Sequence, residues 1–262
     1  MDTEPARRWR DGDLVALGLS PARVRRWFQH THGMSFHGYS RSRRLGEALG
    51  RIQEGDPVTR AALDSGFDSL SGFGEAFERL AGGSPSARKG APLVRLTRIA
   101  TPLGPMVAGE TDAGLCLLEF ADRRMLPTQL ERVRRTLGCV RAPGANDVLS
   151  AVAGELEEYF TGRRSVFTVP LVTAGTPFQE RVWAELGRIP FGETASYAEV
   201  ARRIGRPSAV RAVARANGDN RLAVVIPCHR VIGADGSLTG YGGGLWRKRR
   251  LLEVEGSAAG VS

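Results

Sequence analysis

The sequence predicts a multidomain α and α/β protein. It has an N-terminal all-α double helix-turn-helix domain, then a small α/β domain on an antiparallel meander, then a mostly helical, winged-helix-like C-terminal domain. Three observations predict this. Phe28 and Phe77, like Gly33 and Gly82, stand 49 positions apart, and Gly18 and Gly66 stand 48 apart, which is the signature of a duplicated helical unit. Residues 81–92 collect Gly, Ser, Pro and basic residues into linker chemistry, after which short strand patterns replace helical ones. Past residue 175, helix-opening signals return at Pro177, Ser196 and Pro207-Ser208.

The 262 residues and 42% hydrophobic content suffice for two or three packed cores, so a soluble globular protein is expected. A net charge of +9 points toward a polyanion. Residues 196–250 carry eleven Arg or Lys against Glu199, Asp219 and Asp235, a local balance of +8. Cys116, Cys139 and Cys228 form no CxxC and no disulfide framework, and they fit a reducing cytoplasm. With no apolar run of membrane-spanning length and no signal-peptide core, the protein is expected to remain in the cytoplasm, away from membranes.

From Asp13 a helical pattern carries Leu14, Val15 and Leu17, and Gly18 opens a turn. Ser20 before Pro21 reads as the cap of a second helix with Val24, Trp27 and Phe28 inward and Arg23, Arg25 and Arg26 outward. That is helix-turn-helix geometry, with Arg23 and Arg26 as candidate DNA contacts. A central helix over about 36–53 leads to the second copy. There Val58, Ala61, Ala62 and Leu63 belong to the first helix, 66–69 to the turn and 70–80 to the second, with Ser71 as a candidate contact. Strands follow at Val94–Ile99, Met106–Ala108 and Leu115–Phe120, then helices at about 127–137 and 148–160. In this part Cys116 and Cys139 read as plain core or surface thiols, and no chemistry is expected. The last part opens with a helix from Pro177 to Arg188 and a second from Ser196 to Gly205. A third, 207–217, is rich in alanine and carries Arg211 and Arg215 on one face, which makes another helix-turn-helix.

Cys228 follows the apolar run 222–226, read as a buried strand, and stands between Pro227 and His229-Arg230. A cysteine held at such a junction is presented as a nucleophile. The thiolate is its reactive form, and a neighbouring imidazole and guanidinium groups favour it.

Pro227-Cys228-His229-Arg230-Val231 resembles the acceptor site of the methylated-DNA–protein-cysteine methyltransferases, the O6-alkylguanine-DNA alkyltransferases. The likeness runs from Val94 to Gly256 through Phe178-Gln179, Val182-Trp183, Ile189-Pro190-Phe191-Gly192-Glu193-Thr194, Ser196-Tyr197, Arg211-Ala212-Val213, Asn220, Tyr241 and Leu251-Leu252. The two linked motifs over Asp11 to Pro85 resemble the AraC-type DNA-binding domain, most tellingly at Gly66-Phe67, Phe77 and Gly83-Ser84-Pro85. The combination looks like the Ada-type proteins, which repair DNA and regulate transcription. The resulting boundaries are 1–85 for the AraC-type domain, 86–92 linker, 93–175 alkyltransferase α/β subdomain, 176–256 catalytic DNA-binding domain and 257–262 tail.

The resemblance implies irreversible, single-turnover transfer of an alkyl group from O6-alkylguanine, and from O4-methylthymine, to Cys228. An O6-alkyl group lies at the pairing edge, so the nucleotide must leave the stack. By resemblance Arg211 takes the place of the flipped base and Tyr197 crowds the adjacent phosphate; Arg215, on the face of Arg211, and Arg230, in the basic segment, are further candidate DNA contacts. His229 acts as base, Glu255 orients it, Asn220 ties the turn that holds the thiol, Tyr241 hydrogen-bonds the guanine, and Gly242 and Gly243 form a permissive pocket edge. No metal or organic cofactor is implied. The partners implied are double-stranded alkylated DNA, promoter DNA through 1–85, and RNA polymerase. The four-cysteine zinc domain of Ada-type proteins has no counterpart in this sequence, so neither zinc nor phosphotriester repair is expected. One alternative stays open, a DNA-binding regulator or lesion sensor whose alkyltransferase half only recognises damage.

Overall fold

The computed structural model describes residues 6–256 except 33, 82, 86, 88, 89, 145 and 146. The Gly33–Gly82 correspondence, Arg88-Lys89 of the linker and the tail therefore lie outside the described residues. In chain order the elements are α1 (Asp11–Ala16), α2 (Pro21–His32), α3 (Phe36–Gln53), α4 (Val58–Asp64), α5 (Leu70–Ala81), β1 (Leu93–Ile99), β2 (Met106–Thr111), β3 (Gly114–Phe120), α6 (Leu126–Leu137), β4 (Val140–Pro143), α7 (Asp147–Phe160), α8 (Pro177–Leu186), β5 (Ala195–Ser196), α9 (Tyr197–Arg203), α10 (Val210–Gly218), β6 (Val231–Ile232) and α11 (Leu245–Val254). The chain divides into two compact units. One holds the described residues as far as Arg98 with the segment that starts at Gly138, and the other holds Ile99–Leu137 and the chain from Asp147 onward.

In the first unit both copies of the repeat are helix, turn, helix, and their turns share one backbone device. Gly18 and Gly66 sit at φ of 72° and 77°, where a residue lacking Cβ ends a helix without steric cost. Ser20 accepts from the Arg23 N–H and Ser35 from the Gly38 N–H, capping α2 and α3. Leu45, Ala48, Leu49 and Ile52 of α3 share a buried cluster with Ala61 and Ala62 of α4 and Phe73, Ala76 and Phe77 of α5. Trp27, expected inward, is instead 55% exposed. Phe28 anchors α2 in the core, and the next residue round a helix lies about 100° away.

The four-residue strand β4 was not expected. It pairs in parallel with β1, Leu93 opposite Val140, so the sheet is mixed rather than a purely antiparallel meander. A strand reached after an intervening helix is free to lie parallel, which a hairpin partner is not. Leu93, Val140 and Ala142 bury in the same cluster as α3 to α5. Gly46 permits that approach, because a Cβ there would lie 2.6 Å from the Ala142 Cβ.

In the second unit β2 and β3 form an antiparallel hairpin, Met106 opposite Phe120. One continuous buried cluster then links the hairpin with α7, α8, α9, α10 and α11. Across the expected boundary near 175, the Leu118 N–H donates to the Arg221 carbonyl (2.7 Å) and the Ala223 N–H to the Leu118 carbonyl (2.8 Å). The hairpin thus holds the segment that leads to Cys228. Thr176 and Gln179 form a capping box that starts α8, and Ser196 and Glu199 form one that starts α9. α10 begins at Val210, later than Pro207-Ser208 suggested.

Residues 222–226, expected as a strand, keep only a single bridge from Leu222 to Leu118 and then turn. The Ile226 N–H closes back on the Leu222 carbonyl at 2.8 Å, and Val224 sits at φ 73°. A β-branched residue in that region costs about 1–2 kcal/mol and persists only where its surroundings hold it. Here both flanks are tied, to β3 on one side and to the Asn220 side chain on the other.

Candidate active site

Cys228 opens a single 3-10 turn, Cys228–Arg230, between the strained turn and β6. It is 6% exposed. Its N–H donates to the Ile226 carbonyl at 2.8 Å, and its own carbonyl accepts from Asn217 Nδ2 at 3.4 Å. Asn220 closes the preceding turn at both ends: Nδ2 donates to the Ile226 carbonyl (2.9 Å), and Oδ1 accepts from the Leu222 N–H (3.0 Å). Burial pushes the thiol above its ordinary pKa, and hydrogen bonding from Asn220 does not offset that. The expectation of a thiolate-favouring setting is therefore corrected. Cationic neighbours are present, but desolvation outweighs them, and the resting group is a thiol.

Burial likewise pushes His229 down, so the imidazole is neutral near pH 7. Its Nε2 lies 2.8 Å from Glu255 Oε1, while its Nδ1 is buried without a hydrogen-bond partner among the described residues. Burial alone would raise the Glu255 carboxyl. His229 and Arg230 outweigh it and hold the group at about 2. Arg230 makes a fork on that carboxylate, Nε to Oε2 at 2.8 Å and Nη2 to Oε1 at 3.0 Å, and Tyr159 donates its hydroxyl at 2.7 Å. A carboxylate satisfied in this way stays ionised and stabilises an imidazolium whenever one forms.

The Tyr241 hydroxyl is buried with no hydrogen-bond partner among the described residues, and burial raises it well above the ordinary phenol value. It is a donor without an acceptor, 6.5 Å from His229 between ring centroids. Tyr197 opens α9, its hydroxyl 3.4 Å from the Thr239 carbonyl and 3.5 Å from that of Gly240. Gly242 and Gly243, expected as a permissive edge, also sit at close approach to side chains of the hairpin region. A Cβ on Gly242 would stand 2.4 Å from Arg123 Cζ, and one on Gly243 2.7 Å from the Phe120 ring.

Arg211 and Arg215 are both exposed on α10, four residues apart on one face. Arg230 is not on that surface. Its guanidinium is buried on Glu255 and also donates to the Ile189 carbonyl, so its assignment to DNA is corrected. Of the eleven basic residues in 196–250, Arg221, Arg230, Arg247 and Lys248 are buried, which leaves seven for a polyanion. Lys248, donating to the Val231 and Thr239 carbonyls, is lowered by burial to about 8. In the first unit Arg23, Arg26 and Ser71 are exposed on α2 and α5. A cavity of about 680 Å³ lined by Trp9, Trp27 and Phe36 lies in that unit and includes none of the groups around Cys228.

Sequence reasoning missed Tyr159, Asn217, Lys248 and the buried pair Glu119–Arg123. Tyr159 looks like any core aromatic of its helix, and Lys248 is hidden in a basic run. Charged Glu119 at the end of an apolar strand was the one visible signal. Among the described residues no cluster of His, Cys, Asp and Glu could hold a metal ion, and no helix is long and apolar enough to cross a membrane.

Comparison with known proteins gives three matches along the chain. Residues 15–89 match a helix-turn-helix domain, 94–173 the ribonuclease-like domain of 6-O-methylguanine DNA methyltransferase, and 177–257 its DNA binding domain. The methylated-DNA–protein-cysteine methyltransferase of Mycobacterium tuberculosis is 43% identical over 167 residues, 64% of this chain and 95% of that protein. The regulatory protein ada of Salmonella typhimurium is 36% identical over 246 residues, 92% of this chain and 68% of that one. Among solved structures, Mycobacterium tuberculosis O6-methylguanine methyltransferase superposes with a TM-score of 0.54 at 43% identity, covering 64% of this chain and 96% of that one. Mycobacterium tuberculosis OGT in complex with DNA superposes with a TM-score of 0.53 at 43% identity, covering 64% and 94%.

Proposed function

Since the chain belongs to the methylated-DNA–protein-cysteine methyltransferase family, we propose that Cys228 is its alkyl acceptor and that His229, Glu255, Asn220 and Tyr241 serve the transfer. The protein is a DNA-binding transferase that repairs alkylated DNA, joined to a helix-turn-helix domain of the kind found in Ada-like regulators. The observation that carries the assignment is a buried thiol followed in the same turn by a neutral imidazole, with Nε2 held by an ionised Glu255 and Nδ1 left over.

With an O6-alkylguanine turned out of the stack, the Cys228 proton passes toward His229 Nδ1, and Glu255 stabilises the imidazolium. Sulfur attacks the alkyl carbon, the C–O6 bond breaks, and its electron pair leaves with guanine. Charge growing on the base meets the unused Tyr241 hydroxyl, which donates a hydrogen bond there. The product is a thioether on Cys228, which nothing near the site could hydrolyse, so one molecule acts once. Arg211 fills the gap left in the duplex, Tyr197 presses on the adjacent phosphate, and Arg215 binds the backbone. O4-methylthymine offers the same alkyl–oxygen bond and is a second substrate. Mixing the protein with a duplex carrying one labelled O6-methylguanine should place one label per chain on the Cys228 peptide and none on Cys228→Ser. Tight binding without transfer would move the chain to lesion sensing.

Residues 1–85 also bind promoter DNA, with RNA polymerase as partner in regulation. Support comes from the exposed Arg23, Arg25 and Arg26 on α2. Sequence-blind binding that depends only on salt would overturn this.

A further inference from the structure

The α/β part was expected to carry no chemistry, yet two of its side chains reach the acceptor site. Glu119 is the penultimate residue of β3 and Arg123 follows the strand, both side chains almost wholly buried and paired. The same guanidinium donates from Nη2 to the Gly218 carbonyl (2.7 Å) and from Nη1 to the Asn220 carbonyl (3.3 Å). Gly218 is the last residue of α10, the helix that carries Arg211, and Asn220 ties the turn before Cys228. A third side of the guanidinium lies against Gly242, beside Tyr241. We propose that Arg123, held by Glu119, is a positioning residue for alkyl transfer: it clamps the end of α10, the Asn220 turn and the Tyr241–Gly242 segment in one arrangement around Cys228.

Gly218 offers an otherwise open carbonyl at a helix end, where a cation is favoured. Only a forked side chain reaches Gly218, Asn220 and Glu119 at once, so lysine is not equivalent. A Cβ on Gly242 would be harmless against a freely moving arginine, but this one is pinned by three partners. The charges facing Cys228 are Lys248 on α11 and Glu119 with Arg123 at the end of the hairpin; the neutral imidazole of His229 follows it on its own turn, and Tyr197 on α9 and Tyr241 also face it. Burial already raises the Glu119 carboxyl, and removing Arg123 takes away its nearest cation and leaves Arg247 as the other one acting on it, so its charge weighs more on the thiol and on the Tyr241 phenol.

The inference rests on Cys228 as acceptor, so single-turnover transfer from labelled duplex is measured for the wild type in parallel. Absence of transfer there would sink the acceptor assignment, not this one. The variants are Arg123→Ala, Arg123→Lys, Gly242→Ala and the double change Glu119→Gln/Arg123→Ala, which removes the stranded charge in case the first does not fold. Misplacing reacting groups by about 1 Å costs on the order of 10²-fold. The limiting rate at saturating DNA should therefore fall about that much in the double variant, with the half-saturating DNA concentration within about twofold of the wild type. Arg123→Lys and Gly242→Ala should also lose rate. The pH at which the rate is half-maximal should rise in Arg123→Ala and return in the double variant. A double variant that transfers at the wild-type rate, or one that loses only DNA affinity, would overturn the proposal.

Discussion

Replacing Glu255 by Gln tests the electrostatic centre of the site. The carboxylate accepts from Arg230 Nε, Arg230 Nη2 and the Tyr159 hydroxyl and lies 2.8 Å from His229 Nε2, all of them buried. Its pKa is held at about 2 against an ordinary 4.5, and a shift of that size corresponds to about 3 kcal/mol. Because the folded value lies below the unfolded one, this stabilisation is present above the unfolded pKa and disappears as pH falls through the folded pKa. By about pH 3 the wild type should have lost about 2 kcal/mol from this group alone, a loss that Glu255→Gln cannot show. At neutral pH the variant strands the buried Arg230 charge and should be less stable by about 3–5 kcal/mol. Urea unfolding followed by tryptophan fluorescence at both pH values measures each quantity. Other carboxyls, such as Asp122 and Glu199, titrate in both proteins, so the difference reports the coupled Glu255–His229 pair. If wild type and variant lost stability in parallel on acidification, the ionised, Arg230-bound carboxylate would be wrong.

Tyr241→Phe should act in opposite directions on two readouts. Losing a donor to the developing charge should slow transfer by about 10²-fold, while losing a hydroxyl that is buried without a partner should raise folding stability by about 1 kcal/mol; a change of the same sign in both would refute the role. Arg211→Ala should slow transfer from duplex DNA by about 10²-fold, the scale of the unpairing cost, yet leave transfer from free O6-benzylguanine unchanged. Equal loss on both substrates would place Arg211 in the chemistry instead. The pair Arg23→Ala and Arg26→Ala should reduce the slope of log binding constant against log salt by about 2 on undamaged duplex, if each contacts one phosphate. An unchanged slope in a titration by fluorescence anisotropy would remove α2 from the interface.

How much of this was legible in the sequence depends on which signal each residue leaves. Capped helices were read nearly to the residue, since Ser20-Pro21, Thr176-Pro177 and Ser196 announce a start by their own chemistry. Cys228, His229 and Glu255 were singled out because their spacing resembles that of a family, and the fold brings His229 and Glu255 together. The turn at 222–226 failed as a strand because an apolar run cannot declare that Asn220 will close it. Arg230 failed for a related reason. Charge in a basic segment reads as surface until a carboxylate 25 residues away is folded onto it. β4 and α11 were missed because one is very short and the other is written largely in arginine and lysine. What the sequence conceals is partnership, since Tyr159 meets Glu255 and Arg123 meets Gly218 and Asn220 across more than ninety residues of chain.

The correction to the thiol fits the chemistry better than the expectation did. A protein that consumes itself in one transfer gains from a nucleophile that is inert until the right electrophile arrives. Exposed thiolate would be spent on oxidants and stray alkylating agents. Burial keeps Cys228 protonated and His229 neutral, so in the proposed roles both the nucleophile and its base rest idle. Activation then needs a base flipped into contact with sulfur, so that bond formation and proton loss reinforce each other. The ionised Glu255 lowers the cost of the imidazolium only at that moment. On this reading the selectivity of the protein lies partly in what it refuses to react with, and the residues that desolvate Cys228 matter for that as much as those that pull its proton away.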